Sequence, residues 1–141
     1  MEKLFLKNEN ETREFGLKLA AGLKPGDVIA LTGELGTGKT TLAGYIAEGL
    51  GVKEEITSPT FTLIREYKSG RLPFFHFDLY RLAGEREVIE LGYEEYFYGN
   101  GVCLVEWADN AKGLLPKGCI TIQMYYGKNE FEREYEIYSD I

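Results

Sequence analysis

The sequence contains few of the residues that build disulfide frameworks and zinc sites. It has two cysteines, Cys103 and Cys119, and one histidine, His76, among 141 residues. Two cysteines are too few for a disulfide scaffold or an all-cysteine zinc site, and a mixed Cys/His site would need more ligands close together. The composition is therefore typical of a protein from a reducing compartment, and we expect it to be cytoplasmic.

Long hydrophobic runs are also missing. No apolar segment approaches the roughly 20 residues that a membrane-spanning helix needs. The first ten residues, MEKLFLKNEN, lack the apolar segment of a secretory signal. We therefore expect neither secretion nor association with a membrane.

Basic residues are outnumbered by acidic ones. The chain has 16 Lys and Arg against 23 Asp and Glu, which gives a formal net charge of −7. Proteins bind nucleic acids tightly through lysine and arginine, so strong direct binding to RNA or DNA is not expected. The apolar share of 44% and charged share of 28% are typical of globular proteins. We find no internal boundary and predict a single domain over residues 1–141.

Hydrophobic periodicity predicts alternating strands and helices in the first third of the chain. Alternation over residues 3–7 indicates a short strand. A helix is predicted to begin after Asn8, where Glu11 has the spacing of a capping box, and to end at Pro25 and Gly26. The continuous apolar run over residues 28–31 is typical of a strand buried on both faces, and residues 40–50 carry a helical apolar stripe.

The remainder of the chain mixes further strands with short helices. We predict strands over residues 60–67 and 72–77, helices over 85–90 and 93–98, and a buried strand over 102–105. Alternation at residues 120–124 and 131–137 predicts a two-stranded edge of the sheet with one wet, acidic face. The whole pattern predicts an α/β fold whose mixed central sheet is flanked by helices.

A glycine-rich segment carries the strongest functional signal. Residues 33–40, GELGTGKT, fit the phosphate-loop pattern G-x-x-x-x-G-K-[ST] without a gap. Glycines let successive backbone N–H groups face phosphate oxygens, Lys39 supplies a positive charge, and the hydroxyl of Thr40 is a ligand for Mg²⁺. Guanine-specific Asn/Thr-Lys-x-Asp and Asp-x-x-Gly elements are missing, so we predict ATP rather than GTP.

Two acidic residues follow apolar strands and are candidate partners of the Mg²⁺. Asp78 ends the run FFHF and Glu106 ends the run VCLV. Either carboxylate would lie at the carboxyl edge of a parallel sheet, where such ligands hold the metal. The pattern alone does not decide between them. Ser58 and Thr60, on either side of Pro59, carry hydroxyls that could reach the γ-phosphate, although the same segment also suits an ordinary turn.

These motifs together resemble the bacterial TsaE (YjeE) family, the ATPase component of tRNA threonylcarbamoyladenosine biosynthesis. The matching stretches are GELGTGKTT (33–41), SPTFTL (58–63), HFDLYRL (76–82) and VEW (105–107), in the family's order and spacing. One departure is Ala108, where the family usually has proline. The resemblance implies a single P-loop ATPase domain built around a mixed sheet.

The resemblance also implies roles for individual residues. Lys39 would contact the β/γ oxygens, Thr40 and Glu106 would hold Mg²⁺, and Asp78 would position or activate the attacking water or steady the metal's shell. Trp107 would support the Glu106 strand end, and Ser58 and Thr60 would form a switch-like loop. The implied nucleotide-binding residues are Glu9, Gly36, Thr37, Gly38, Lys39, Thr40, Thr41, Thr60 and Trp107.

The expected activity is Mg²⁺-dependent ATP hydrolysis in support of the complex that modifies adenosine 37 of tRNAs reading ANN codons. Proteins of the TsaD and TsaB type are the implied partners, and the chain itself would not modify the tRNA. Arg65, Arg81 and Arg86 are the nearby candidates for an arginine finger, but none stands out, so we expect slow turnover of the isolated chain. A P-loop small-molecule kinase and a non-enzymatic ATP/ADP sensor are the alternative interpretations.

Overall fold

A computed structural model describes residues 1–57 and 63–139 of the chain. The predictions made for Ser58 and Thr60 therefore lie outside the described residues, as does the first part of the strand predicted over residues 60–67. The rest of that strand is present over Ile64–Tyr67.

Within the described residues, the strands form one seven-stranded sheet in the order β1-β7-β6-β2-β5-β4-β3. The strands are β1 (Glu2–Leu6), β2 (Val28–Gly33), β3 (Ile64–Tyr67), β4 (Phe74–Asp78), β5 (Val102–Glu106), β6 (Ile120–Tyr126) and β7 (Arg133–Ser139). The helices are α1 (Glu9–Ala21), α2 (Lys39–Gly49), α3 (Glu85–Glu90), α4 (Tyr93–Phe97) and a 3₁₀ helix (Ala108–Leu114).

The centre of the sheet is parallel and its flanks are antiparallel. Strand β2 runs parallel to both β5 and β6, and β4 runs parallel to β5. The pairs β1–β7, β6–β7 and β3–β4 are antiparallel. The predicted α/β class with a mixed sheet and flanking helices is confirmed.

The apolar run of β2 is continuous because both faces of the sheet are covered. Ile29 and Leu31 belong to a core that includes residues of α1 and α2, whereas Val28 and Ala30 belong to a second core that includes residues of α3, α4 and the 3₁₀ helix. The helices therefore form one layer on each side of the sheet. No helix of the described residues is long and apolar enough to cross a membrane.

Helix α1 begins where its capping residues predict. The side chain of Asn8 accepts a hydrogen bond from the N–H of Glu11 at 3.0 Å, and the Glu11 carboxylate accepts one from the N–H of Lys7 at 2.7 Å. The helix ends at Ala21, with Gly22 as its C-cap, before the predicted stop at Pro25. Local N–H groups are satisfied by side chains at the start of the helix, as capping requires.

The prediction that the last two strands form an edge of the sheet is wrong. Strand β7 lies between β6 and β1, and β1 forms that edge. Phe131, expected within the last strand, lies in the connecting turn and is exposed. The turn is longer than predicted because the Asn129 side chain accepts hydrogen bonds from the N–H groups of Phe131 and Glu132. The inward alternation of Tyr135 and Ile137 is confirmed, since both pack into the core.

Candidate functional site

The glycine-rich loop, residues 33–40, connects the carboxyl end of β2 to the first turn of α2. Gly33 has a φ of +141°, and a Cβ there would lie 2.6 Å from the carbonyl oxygen of Met124 on β6. Gly38 is the N-cap of α2. The loop thus places the N-terminal end of an 11-residue helix, with its partial positive charge, at the edge of the sheet.

The side chain of Lys39 lies back along this loop. Its Nζ donates hydrogen bonds to the carbonyl oxygens of Gly33 and Glu34, both at 2.7 Å, and to Oγ1 of Thr37 at 3.3 Å. The ammonium also lies 4.3 Å from the centre of the Trp107 ring, a distance typical of cation–π contact. The loop therefore encloses a positive charge that its own carbonyls hold in place.

Burial has an electrostatic cost for this ammonium. Lys39 is only 5% exposed, and loss of water lowers the pKa of its amine, while the nearby carboxylates of Glu106, Asp109 and Asp78 oppose that shift. Desolvation disfavours the charged form of the Lys39 amine. A bound anion would stabilise that charged form again.

Asp78 and Glu106 both lie at the carboxyl edge of the sheet, as predicted from their strands. They are direct neighbours in the parallel pairing of β4 with β5, and they are 4% and 3% exposed. One oxygen of Asp78 accepts a hydrogen bond from the N–H of Tyr80 at 3.0 Å. The two carboxylates therefore share one buried edge beside the loop.

Glu106 is held from two sides. The hydroxyl of Thr40 lies 3.0 Å from each of its carboxylate oxygens, and Nε2 of His76 lies 2.5 Å from Oε2. His76 is fully buried, and its Nδ1 has no hydrogen-bond partner among the residues that the structure describes. The carboxylate therefore joins the first turn of α2 to β4 through side chains.

Trp107 turns the chain immediately after β5. Its backbone has a φ of +58°, in the left-handed region, which is uncommon for a bulky residue and is found at turns and functional sites. The conformation places its ring against Lys39 on one side and 4.8 Å from the ring centre of Tyr80 on the other. The two aromatic side chains form one wall beside the loop.

A cavity of about 470 Å³ opens between these elements. Its lining residues come from the loop, the start of α2 and the ends of β4 and β5: Leu35, Gly36, Gly38, Lys39, Thr40, Thr41, Asp78, Tyr80, Glu106 and Trp107. In the part of the chain that the structure describes, its wall contains Lys39 but none of Arg65, Arg81 and Arg86.

A smaller cavity of about 150 Å³ lies on the other side of the loop. Both cavities are lined by Gly38 and Thr41, and the smaller one also includes Glu9 and Thr12 of α1. The Tyr45 hydroxyl donates a 2.6 Å hydrogen bond to Glu9, and this bond raises the pKa of Tyr45 to about 12. The first turn of α1, which carries Glu9, therefore lies next to the start of α2.

The sequence profile of one protein family matches residues 6–135. That family is described as threonylcarbamoyl adenosine biosynthesis protein TsaE. The chain belongs to the TsaE family.

Several relatives are proteins named tRNA threonylcarbamoyladenosine biosynthesis protein TsaE. One from Bacillus subtilis is 51% identical over 110 residues, covering 78% of this chain and 68% of the relative. One from a Nostoc species is 42% identical over 141 residues, covering 97% and 85%. One from Treponema pallidum is 41% identical over 118 residues, covering 84% and 87%.

A solved structure shows the same fold. The crystal structure of YdiB from Bacillus subtilis superposes with a TM-score of 0.86 at 40% sequence identity, covering 99% of this chain and 86% of that one. The TsaE fold, with its mixed sheet and flanking helices, therefore describes this chain over nearly its whole length.

In this TsaE-family chain, the predicted site residues divide into three groups by position. Lys39, Thr40, Asp78, Glu106 and Trp107 surround the larger cavity, together with Gly36, Gly38 and Thr41. Glu9 and Thr37 line the smaller cavity. Thr60 lies outside the described residues. Their roles in binding or catalysis remain predictions, and the positions of these residues around the two cavities are compatible with them.

Two site residues were not singled out by the sequence patterns. His76 lies within the strand predicted over residues 72–77, and its side chain contacts Glu106. The signal was its position two residues before Asp78, because alternate residues of a strand share a face. Tyr80 lies beyond the strand end, where no periodicity predicts the direction of a side chain.

The oxygen ligands present suit a Mg²⁺ ion that arrives with a nucleotide. Among the residues that the structure describes, no group of three or more His, Cys, Asp or Glu side chains is arranged to hold a metal. Mg²⁺ bound with a nucleotide uses few protein ligands and completes its shell with water and phosphate oxygens. The Thr40 hydroxyl and Glu106 carboxylate, 3.0 Å apart, are hard oxygen donors and fit that requirement.

Proposed function

We propose that this chain is a Mg²⁺-dependent P-loop ATPase that supports the formation of N6-threonylcarbamoyladenosine at position 37 of tRNAs reading ANN codons. Membership of the TsaE family supports the pathway. The chain would not modify the tRNA itself. Residues 1–141 would act as one ATPase domain, because the strands form a single continuous sheet. That domain would act in the cytoplasm.

One observation carries the proposal. The glycine-rich loop and its lysine face the same cavity as two buried carboxylates that are neighbours on parallel strands. A phosphate loop beside such carboxylates is the arrangement that phosphoryl transfer requires, because the loop binds the phosphates and the acids handle metal and water.

The loop would bind the triphosphate through backbone N–H groups and the N-terminal end of α2. Lys39 would exchange its hydrogen bonds to Gly33 and Glu34 for bonds to the β/γ oxygens, and burial would strengthen that interaction because the local dielectric is low. Thr40 and Glu106 would hold Mg²⁺, which when bound would neutralise charge on the phosphates.

Asp78 would orient the attacking water. Its carboxylate lies at the same edge as Glu106, and its hydrogen bond to the N–H of Tyr80 fixes its orientation. A buried, fixed carboxylate holds a nucleophilic water by accepting its hydrogen bond. Water attack on the γ-phosphorus would break its bond to the bridging oxygen and release ADP and phosphate. Trp107 and Tyr80 would exclude other water from that side.

Partner proteins would complete the site. Of the residues that the structure describes, no arginine lines the larger cavity, and an arginine finger typically contributes roughly 10³–10⁵-fold to phosphoryl transfer. We therefore propose slow turnover alone and faster turnover when proteins of the TsaD and TsaB type are present. The net charge of −7 favours contact with proteins over direct binding of the tRNA backbone.

The deciding experiment measures phosphate release with and without TsaD-type and TsaB-type partners. The expected result is a rise of at least tenfold on mixing. Lys39→Ala would abolish the rise, and Lys117→Ala, a change of an exposed lysine, would not. Nucleotide-dependent assembly without phosphate release would indicate a sensor instead. Phosphorylation of a small metabolite would indicate a kinase.

A further inference from the structure

Two side chains from the end of the sheet donate hydrogen bonds to carbonyl groups of the glycine-rich loop. The Tyr126 hydroxyl, at the end of β6, donates to the carbonyl oxygen of Leu35. Nε of Arg133, at the start of β7, donates to the carbonyl oxygen of Thr37 at 3.0 Å. Tyr126 and Arg133 are directly opposite each other in the β6–β7 pairing.

The two side chains also support each other. The Arg133 guanidinium carbon lies 5.4 Å from the centre of the Tyr126 ring, within the range of cation–π contact. Nη1 of Arg133 donates to the carbonyl oxygens of Glu130 and Glu132, both at 2.8 Å. These bonds hold the guanidinium against the turn that precedes β7. Less side-chain entropy is therefore lost when the guanidinium also contacts the loop.

The loop is seated closely on this pair. Gly36 has a φ of +83°, and a Cβ there would lie 2.6 Å from the Tyr126 hydroxyl oxygen. The positive φ favours glycine at this position, and the missing Cβ leaves room for the Tyr126 hydroxyl beside the loop backbone. The contact is a fitted one between the loop and the sheet, in addition to the hydrogen bonds.

The accepting carbonyls are those that set the direction of the loop's N–H groups. The carbonyl of Leu35 and the N–H of Gly36 belong to one peptide unit, and the carbonyl of Thr37 and the N–H of Gly38 belong to another. In a trans peptide these two groups point in opposite directions. A donor fixed on the carbonyl side therefore fixes the direction of the N–H at Gly36 and Gly38, both of which line the larger cavity.

We infer that Tyr126 and Arg133 are positioning residues that set the loop's peptide planes for binding of a nucleoside triphosphate. This inference rests on the proposed function, because it assigns those N–H groups to phosphate. Both side chains would act through the loop backbone, and that of Arg133 also lines the smaller cavity with Glu9 and Thr37. Preorganised donors bind a developing or full negative charge better than donors that must be reoriented first.

The test compares ATP affinity in paired variants by calorimetry in the presence of Mg²⁺. Tyr126→Phe keeps the ring and removes only the hydroxyl, and we expect affinity to fall about 3- to 10-fold; Arg133→Lys removes the fork and should cost about 10-fold. The matched controls are Tyr125→Phe, whose hydroxyl bonds to Glu136, and Arg13→Lys, whose guanidinium pairs with Glu48. Both controls should stay within twofold.

Two further readouts separate positioning from general loss of stability. Thermal midpoints of the variants should match those of their controls, while hydrogen–deuterium exchange of residues 34–38 becomes faster without nucleotide. The double variant should lose less affinity than the product of the single losses, because the two side chains support each other. Unchanged affinity in both variants, or losses that follow the thermal midpoints, would overturn the inference.

Failure of the proposed function gives a different result. If the parent chain binds no ATP, that function is wrong, and exchange in the free protein then decides the structural part alone. Faster exchange confined to residues 34–38 in Tyr126→Phe would support the inference that Tyr126 and Arg133 hold the loop in place. Unchanged exchange would overturn that as well.

Discussion

Replacing Glu106 with glutamine tests the assignment of the metal ligand. The glutamine side chain has nearly the same shape, and its amide oxygen still accepts a hydrogen bond from either Thr40 or His76. What disappears is one negative charge at a side chain that is 3% exposed. The variant therefore removes electrostatic attraction for Mg²⁺ while keeping most of the packing.

The size of the effect follows from Coulomb's law. The phosphate oxygens of the nucleotide would offset about one of the two charges of Mg²⁺, which leaves the attraction of two unit charges. Two unit charges about 4 Å apart interact by about 4 kcal/mol at an effective dielectric of about 20. Allowing half of that for the amide oxygen and water that take over leaves about 2 kcal/mol, or roughly 30-fold in affinity. We therefore expect the Mg²⁺ concentration for half-maximal ATP binding to rise about 30-fold in Glu106→Gln.

The assay uses the only tryptophan of the chain. Trp107 lies 4.3 Å from Nζ of Lys39 and lines the cavity, so its fluorescence should report nucleotide binding directly. Mg²⁺ is titrated at fixed ATP for the parent chain, Glu106→Gln and the matched variant Asp78→Asn, whose residue is similarly buried on the neighbouring strand.

The two variants should separate binding from chemistry. Asp78→Asn should change the Mg²⁺ requirement less than threefold, yet slow phosphate release by roughly 10²-fold or more, as loss of a group that orients water does. A Mg²⁺ requirement of Glu106→Gln within threefold of the parent value would refute the assignment. A larger shift in Asp78→Asn than in Glu106→Gln would reverse the two roles.

Three further predictions test the loop, the fold and its pH dependence. Lys39→Ala should weaken ATP binding at least about 100-fold in calorimetry, because charged hydrogen bonds are lost; unchanged affinity would remove the phosphate-loop assignment. Asn8→Ala should lower the free energy of unfolding in urea by about 1 kcal/mol through loss of the cap, and no change would show that water replaces it. Burial raises the pKa of Cys103 to about 12, above its unfolded value. The contribution of the buried thiol to the free energy of unfolding is therefore fully present below about pH 9. It is lost towards pH 12, by at most about 1.4 kcal/mol per pH unit. The Cys103→Ala variant should show a shallower alkaline loss in urea titrations, and an equal slope would contradict this.

The sequence was most informative where local pattern and local structure coincide. The apolar runs that became β2 and β5 predicted buried parallel strands, and GELGTGKT predicted both the end of a strand and the start of a helix. Asn8 and Glu11 predicted a helix start through bonds made within four residues. In each case the interacting groups are close in the chain, so residue type and spacing are sufficient.

The order of strands could not be obtained in the same way. Two acids at strand ends were predicted, but their meeting depends on β4 and β5 being parallel neighbours in the sheet. The interior position of β7 depends on pairing with β1 from the opposite end of the chain. Pairing of distant strands is decided by the whole sheet, and the alternation within one strand does not show which strand lies beside it.

Side-chain contacts across long sequence separations were also out of reach. Arg133 contacts the loop across 96 residues, and nothing in its neighbourhood of glutamates and tyrosines points to that partner. His76 and Glu106 are 30 residues apart, and the sequence marks Glu106 as a candidate ligand without linking it to His76. The sequence thus predicted which residues lie near the loop more completely than the contacts between their side chains.

The bond between the Thr40 hydroxyl and the Glu106 carboxylate has a consequence for the order of events under the proposed function. A solitary cation would have to break this bond and shed hydration water while gaining only two oxygen neighbours from the protein. A cation already carried on triphosphate loses far less, because the nucleotide supplies the remaining oxygens. We therefore expect the site to bind Mg²⁺ and nucleotide together as one complex and not to bind free Mg²⁺.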